Sequence, residues 1–445
     1  MASKPIAPSS KQSSRPSLSA ISVVGYKSLV NKQRIEIRPL TILAGANSGG
    51  KSSIMQPILL LKQTLDAPYD PGSLLLGGPN VRLTSADQLL SIKSKSKAEE
   101  FSIGFGIGDK NVELCFRQVS GKGLEIYSNT VTHGIEEMVV SMDTDVTGIK
   151  RQLLFTKFGG KLPKKMQEEA ELKVVRRDRF FLVIELLNIG FPVFLFHPGE
   201  ELAAMIRGLI HVPGLRGNPE RNYKTTAVGD TFPGTFEFYV ASVINHWQSS
   251  NDERLSQLGK QLEKLGLTWK VQAKKQDETQ VELKVGRLPH SRRGGAHDLV
   301  SIADVGFGVS QTLPVLVALL AAQPGQLVYI EQPEIHLHPR AQRALATMFA
   351  EAATRGVIVI VETHSALLLR GIQTLVARDE LSPDLIKLHW FQRDDAGATT
   401  ITSADLDNTG AFGDWPGDFD EVELTSDNEY LSAAEAKLFG KIESI

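Results

Sequence analysis

The stretch Leu40-Thr-Ile-Leu-Ala-Gly-Ala-Asn-Ser-Gly-Gly-Lys-Ser-Ser53 constrains this chain more than any other. Gly45, Gly50, Lys51 and Ser52 stand at the spacing G-x4-G-K-[ST], with a β-prone run, Leu40 to Ala44, before them and a helix-like run, Ile54 to Leu65, after. A strand, a glycine-rich turn and a helix in that order make a phosphate cradle. The glycines let backbone N–H groups turn toward phosphate oxygens, and the helix start adds partial positive charge at the same place. Gly45, Asn47, Ser48, Gly49, Gly50, Lys51, Ser52 and Ser53 are therefore the expected nucleotide contacts. Lys51 is expected to reach the β- and γ-phosphates of a nucleoside triphosphate, and the Ser52 hydroxyl to complete the shell of a Mg2+ ion. A Gly/Ser turn before an unrelated helix is the plainer alternative. The Lys-Ser pair in register and the leading strand favour the cradle.

Composition bounds the rest. At 445 residues, 42% hydrophobic and 22% charged, the chain has room for two or three domains, or one core with a large insertion. A net charge of -2 gives no global attraction to nucleic acid or an anionic membrane, so a DNA contact would need a local patch. Cys115 stands alone, which excludes an internal disulfide and a cysteine-based zinc site and suits a reducing compartment. No apolar run reaches membrane-spanning length, and a cytoplasmic location is expected.

In chain order, residues 1–19 read as a disordered tail rich in Ser, Pro and Lys. Residues 20–150 read as an N-terminal lobe carrying the phosphate loop and an antiparallel β subdomain. Within it, the alternating run Gln33 to Arg38 is expected to return as a hairpin into the phosphate-loop strand, and Pro57 to kink the following helix. Phe101 to Ile107 and Val112 to Phe116, around the turn Gly108 to Asn111, read as a further hairpin. Residues 151–295 read as a mainly helical insertion with a hairpin near 269–285. The basic run 150–180, from Lys150 to Arg179, is a solvated face on the plainer reading and a nucleic-acid patch on the sharper one. Residues 296–390 form the expected C-terminal lobe, and 391–445 an acidic segment with nine acids and no Lys or Arg between 404 and 429. Asp405 with Asp407, and Asp418 with Asp420, are spaced like nuclease carboxylates. Neither pair follows an apolar strand, so a solvated or docking segment is expected there.

Three further features fit the phosphate loop in type and order. Gly306, Gly308, Ser310 and Gln311 precede a helix-like run from Leu313 to Leu320 and form a second anion-receptive turn. Leu327 to Ile330 is an apolar strand ending in Glu331-Gln-Pro-Glu334-Ile-His-Leu-His338, placing an acid where Mg2+ is met in phosphate-loop enzymes. Glu331, Glu334, His336 and His338 read less well as a metal cluster, because neighbouring side chains point apart. Gly356 to Val361 is another unbroken apolar run, suited to a central parallel strand, and it ends in Glu362-Thr-His364-Ser365.

Together these stretches resemble the ABC-type ATPases of the RecF, SMC and overcoming-lysogenization-defect (OLD) group, within the AAA family. Gly45 to Ser52 matches the Walker A loop, Leu327 to Glu331 Walker B, Gly306 to Gln311 the signature loop, and His364 the switch histidine. Glu-x-Pro-Glu-x-His-Leu-His-Pro, with Glu-Thr-His-Ser, is similar to the stand-alone, often defence-associated OLD-like branch, and Trp415 to Asp420 to the C-terminal segment of one subgroup. The resemblance implies an α/β phosphate-loop fold of ABC-head type, with a mixed sheet, an antiparallel β subdomain and a helical insertion. It implies ATP and Mg2+, with Ser52 and Glu331 at the metal, and a homodimer or higher oligomer with head-to-tail contacts. Lys51, Ser52, Glu331 and His364 would then act in cis, and Gly306, Gly308, Ser310 and Gln311 in trans. Gln332 replaces the catalytic glutamate of relatives; since Gln cannot take a proton, Glu334 or another carboxylate becomes the base, or turnover is slow.

The 81 residues after His364 hold no strand-bound acidic pair, so a separate effector such as a nuclease is expected rather than a fused one. The leading expectation is the ATP-driven sensor subunit of a prokaryotic antiviral system. A RecF-like DNA-repair ATPase and an ATP-stabilised, non-hydrolysing scaffold are the alternatives.

Overall fold

Runs of β-branched and aliphatic residues need cover on both faces, and in this chain they lie side by side. The computed structural model describes residues 18–93, 96–144, 171–177, 179–187, 193–196, 199–287, 298–413 and 431–432. Its central sheet holds β1 (Leu40–Gly45), β2 (Ile210–Val212), β3 (Leu327–Glu331), β4 (Ile358–Glu362), β5 (Ile386–Arg393) and β6 (Thr399–Ala404). Their spatial order is β2-β3-β4-β1-β5-β6. The first five run parallel and β6 closes the edge antiparallel to β5. Strand alternation divides the core. Leu40, Ile42, Val328, Ile330, Val359 and Val361 face one apolar cluster, while Leu43, Leu327, Tyr329, Ile358 and Ile360 face the other.

Three helices cover the first face: α2 (Phe307–Ala321), α3 (Pro339–Thr354) and α4 (Ala366–Ala377). Against the second lie α1 (Lys51–Asp66) and a six-stranded antiparallel sheet in the order Gln33–Glu36, Leu18–Val24, Glu100–Ile107, Lys110–Val119, Gly123–His133, Glu136–Ser141. This is an α/β fold of phosphate-loop type, a mixed sheet carrying an antiparallel β subdomain. Among the described residues no helix is long and apolar enough to cross a membrane.

Two expectations change. Gln33–Glu36 does not return into the phosphate-loop strand; it pairs with Leu18–Val24 in the other sheet. The short link explains this. Pro39 has no N–H to extend a ladder, and Thr41 Oγ1 bonds the backbone N–H and C=O of Arg38, turning the chain from one sheet to the next. Residues 151–295 are mixed rather than mainly helical. Beside helices at Glu200–Gly208, Val240–Ser249 and Glu253–Lys264 they hold strands at Glu171–Arg177, Phe181–Leu187, Val193–Phe196, Val271–Lys275 and Gln280–Gly286, and they contribute β2 to the central sheet. Short apolar runs such as Phe181–Leu187 carry no period that separates strand from helix. The hairpins at 101–116 and 269–285 form as expected, and α1 runs unbroken through Pro57. Residues 1–17, 145–170 and 414–430 lie outside the described residues. With them go most of the expected tail, most of the basic run and the segment Trp415 to Asp420.

His389 of β5 ties the two sheets together. Its Nε2 meets the Glu36 carbonyl, an acceptor only, at 2.8 Å, so Nε2 carries the proton and Nδ1 accepts from Ser403 Oγ at 2.8 Å. Burial pulls its pKa down to about 4. The unfolded chain, with an ordinary imidazole pKa near 6.5, binds the extra proton first, so stability is retained above about pH 6.5 and falls as pH drops toward 4. We expect this residue to remove roughly 3 kcal/mol of stability between pH 7 and pH 4. Denaturant unfolding of wild type and His389→Gln at both pH values checks this. An equal pH slope in the two proteins would refute it.

Candidate nucleotide-binding site

The loop leaving β1 has the shape its glycines demand. Gly45 adopts φ +140°, and a Cβ there would collide with the Phe391 carbonyl of β5. Gly50, the residue before α1, adopts φ +101°, and a Cβ would strike Thr399 Oγ1, which itself bonds the Gly49 carbonyl at 2.9 Å. The cradle is thus held from below by the neighbouring strands while its tip, residues 46–48, is exposed. Ser48 also takes a left-handed conformation, φ +63°. Lys51 is 3% exposed and folds over the loop, its Nζ donating to the carbonyls of Gly45 and Ala46 at 3.0 and 2.9 Å. Burial lowers the Lys51 pKa, and the negative charges of Glu362 and Glu334 oppose that shift.

Two carboxylates, Glu362 and Glu334, act on this ammonium, and Glu362 meets Ser52. Ser52 Oγ lies 2.9 and 3.0 Å from the two oxygens of Glu362, at the end of β4. Tyr329 Oη donates to the same carboxylate at 2.8 Å. Burial, then the nearby Glu331 charge, raises the Glu362 pKa, against the hydrogen bonds of Tyr329 and Ser52 and the Lys51 charge. Glu331, the acid expected at the metal, is turned elsewhere: Oε1 meets His211 Nε2 at 3.1 Å and Oε2 accepts from the Gly214 N–H at 3.0 Å. Strand order is the cause. β4 lies between β3 and β1, so Glu362 is one strand from the phosphate loop and Glu331 two.

The remaining expected residues divide into two groups. Gln332 holds a left-handed backbone, φ +44°, and its N–H donates to the Glu362 carbonyl at 2.7 Å. Glu334 accepts from the His364 N–H through Oε1 at 2.7 Å, while its Oε2 is buried and has no partner. Burial raises the Glu334 pKa. His364 faces the Gly45 backbone, and burial, then the Lys51 charge, lowers its pKa. Gln332, Glu334 and His364 therefore gather beside the cradle. Gly306, Gly308 and Ser310 lie apart on the surface, with Ser310 Oγ turned back to the Phe307 carbonyl at 3.0 Å. Gln311 is buried and bonds the carbonyls of Arg216 and Gly217. His338 is a helix cap, accepting from the Arg340 N–H, and Asp405 is paired with Lys387 and Arg38.

Sequence reasoning passed over Glu362 and Arg216. The signal for Glu362 was present, an acid ending an apolar run, as at Glu331. For Arg216 there was none beyond its place in a polar loop. Among the described residues no group of three or more His, Cys, Asp or Glu side chains is poised to hold a metal alone. Mg2+ takes one or two protein oxygens and completes its shell with water and phosphate; Ser52 Oγ and the Glu362 carboxylate are hard oxygen groups of the kind that could hold it.

Residues 177–370 match a family model described as "AAA domain, putative AbiEii toxin, Type IV TA system". The match takes in the signature stretch, β3 and β4, and the phosphate loop lies before it. Over residues 177–370 the chain is similar to an AAA domain. No curated protein matches the sequence. Among solved structures, an SMC head bound to the C-terminal winged-helix domain of ScpA shares 12% identity at a TM-score of 0.47, over 88% of this chain and 98% of that one. The SMC head domain of Thermotoga maritima shares 9% at 0.39, over 87% and 98%. A Pyrococcus furiosus Smc head, with the C-terminal domain of ScpA, shares 12% at 0.40, over 88% and 96%. The fold assignment stands on the sheet order and the loop geometry.

Because Gly45 sits against the Phe391 carbonyl, Gly45→Ala is expected to lose about 1–3 kcal/mol of stability and to displace the loop, weakening nucleotide binding as well. Denaturant midpoints and a fluorescent-nucleotide titration read the two effects. A variant matching wild type in both would show that the close approach carries no load.

Proposed function

We propose that this chain binds ATP with Mg2+ in the Gly45–Ser53 loop, hydrolyses it slowly, and closes head to tail with a second copy around the nucleotide. The observation that carries the reading is the pairing of Ser52 with Glu362 beside the buried Lys51. In this arrangement Lys51 leaves the Gly45 and Ala46 carbonyls for the β- and γ-phosphates. Asn47, Ser48, Gly49, Gly50 and Ser53 line the cradle. Ser52 and Glu362 hold Mg2+, with Glu331 fixing the loop beside it; the ion, when bound, neutralises the phosphate oxygens. Glu334 is the proton acceptor, because its free Oε2 and its burial-raised pKa suit a general base. Gln332 orients water without taking its proton, which keeps turnover slow. His364 holds the Gly45 end of the loop. Gly306, Gly308, Ser310 and Gln311 of one protomer face the nucleotide of the other; the exposed Phe307, 49% accessible, lies within that surface.

At the level of biology, we read the chain as a cytoplasmic sensor and regulatory subunit of a prokaryotic antiviral system that controls a separate effector such as a nuclease. The OLD-like motifs support this, and so does the matched family's description as a toxin of a toxin–antitoxin system.

The test is steady-state phosphate release, with nucleotide titration and light scattering, on wild type, Lys51→Ala, Glu334→Gln, Glu362→Gln and Gln332→Glu. Lys51→Ala is expected to lose nucleotide and assembly, and Glu334→Gln to fall at least about 100-fold in turnover while still binding ATP. Glu362→Gln should bind ATP with weakened Mg2+ dependence, and Gln332→Glu should turn over faster. Unchanged turnover in Lys51→Ala and Glu362→Gln would overturn the assignment.

A further inference from the structure

The loop after β2 touches both halves of the site. Arg216, 8% exposed, sends one guanidinium nitrogen to the Gln311 carbonyl in the first turns of α2 at 3.2 Å. The other donates to the Glu331 carbonyl at the end of β3 at 2.8 Å and reaches the Gln332 carbonyl at 3.5 Å. Gln311 returns two bonds through its side-chain amide, to the carbonyls of Arg216 and Gly217, each at 3.3 Å. The same loop is anchored by the Gly214 N–H on the Glu331 carboxylate. Its rim carries an exposed pair, Arg221 with Asp304, between the same two segments.

Beyond Arg216 the bonds continue. The Gln332 N–H donates to the Glu362 carbonyl, and the Glu362 carboxylate meets Ser52 Oγ at the start of α1. A continuous path thus runs from the phosphate loop to the helix that begins in the signature stretch. Gln332 is the strained point on this path. Its left-handed backbone is strained for a residue with a side chain, and relaxing it withdraws an Arg216 acceptor and the Glu362 partner together. A fork with donors on two different elements is something arginine provides and lysine does not. Arg216 Nε finds no acceptor, so these carbonyl contacts are what fix the group. Glu331, Glu334 and Glu237 supply the negative charge around it.

We infer that Arg216 is a positioning residue that couples nucleotide occupancy of the phosphate loop to the conformation of the Phe307–Gln311 turn in the same protomer. The inference rests on the reading of the loop as a nucleotide site. Binding would then prepare the protomer's own signature surface before any partner arrives.

Hydrogen exchange of peptides covering 306–312, with and without Mg2+ and a non-hydrolysable ATP analogue, tests this on wild type, Arg216→Lys and Arg216→Met. A separate titration gives each protein's affinity for the analogue. In wild type the analogue is expected to change exchange there at least about fivefold, the low end of ordinary coupling factors. In both variants that response should vanish while the analogue still binds. Protection that grows with protein concentration would come from a partner copy instead, and would count against coupling within one protomer. A full response in Arg216→Lys overturns the inference. So does a wild type that binds the analogue without responding at 306–312. Loss of binding in Arg216→Lys also overturns it, since Arg216 would then serve the cradle itself. If Arg216→Met does not fold by circular dichroism, the lysine variant, which keeps charge and bulk, decides. Failure of wild type to bind the analogue appears in the titration alone; it removes the nucleotide reading, and the inference with it.

Discussion

A buried ammonium facing buried carboxylates is the constraint on which the site depends. Lys51 and Arg216 bring two positive charges to one end of the sheet, and Glu331, Glu334 and Glu362 bring three negative ones. Burial alone would neutralise each group, pushing the bases down and the acids up; the mixture of signs restrains both. This balance is poorly suited to a triphosphate by itself, which would add negative charge to a site already short of cations. A divalent cation held by Ser52 and Glu362, as proposed, would reverse the sign locally. On that proposal nucleotide affinity would depend on Mg2+ more tightly than the lysine alone would suggest.

That charge pattern depends on strand order. β3 and β4 end in register, Glu331 beside Glu362, and nothing in either run says which is nearer the loop. Only the insertion of β4 between β3 and β1 decides it. The phosphate loop itself was legible because its strand, turn and helix are contiguous in the chain. So were the ends of the apolar strands, where acids and His364 collect. Pairing across the sheet was not legible: Glu331, the acid expected at the metal, ends two strands from the phosphate loop and Glu362 one. Arg216 was beyond reach for a similar reason. Its acceptors are backbone carbonyls 95 to 116 residues away, and carbonyls carry no sequence identity.

The same limit explains the region read as a mainly helical insertion. Its three-residue strand β2 is too short to show a period, yet its parallel pairing with β3, Ile210 to Val328 and Val212 to Ile330, lays the following loop over the end of β3. His211 in that strand then clamps the Glu331 carboxylate and stacks on Tyr329, with ring centroids 5.6 Å apart. A segment remote from the phosphate loop in sequence thereby sets the position of two acids in the site. The insertion is part of the machine rather than an ornament on it.

Under the proposed function, Gln332 at the position of a catalytic glutamate suits a protein whose output is a state rather than a flux. To drive closure from one part in a hundred to ninety-nine, a ligand must favour the closed form by about 5.5 kcal/mol. Charge-assisted hydrogen bonds contribute roughly 1.5–3 kcal/mol each, so two to four such contacts across the proposed head-to-tail interface would suffice. Such a state persists only as long as the γ-phosphate does. In that proposal a glutamine that orients water without deprotonating it lengthens the interval, and Glu334, whose pKa burial raises, takes the proton that ends it. Gln332 also supplies the backbone contacts that link the strand end to Glu362 and Arg216. One residue thus sits where the lifetime of the nucleotide and the shape of the docking surface meet, which is where a timed switch needs it.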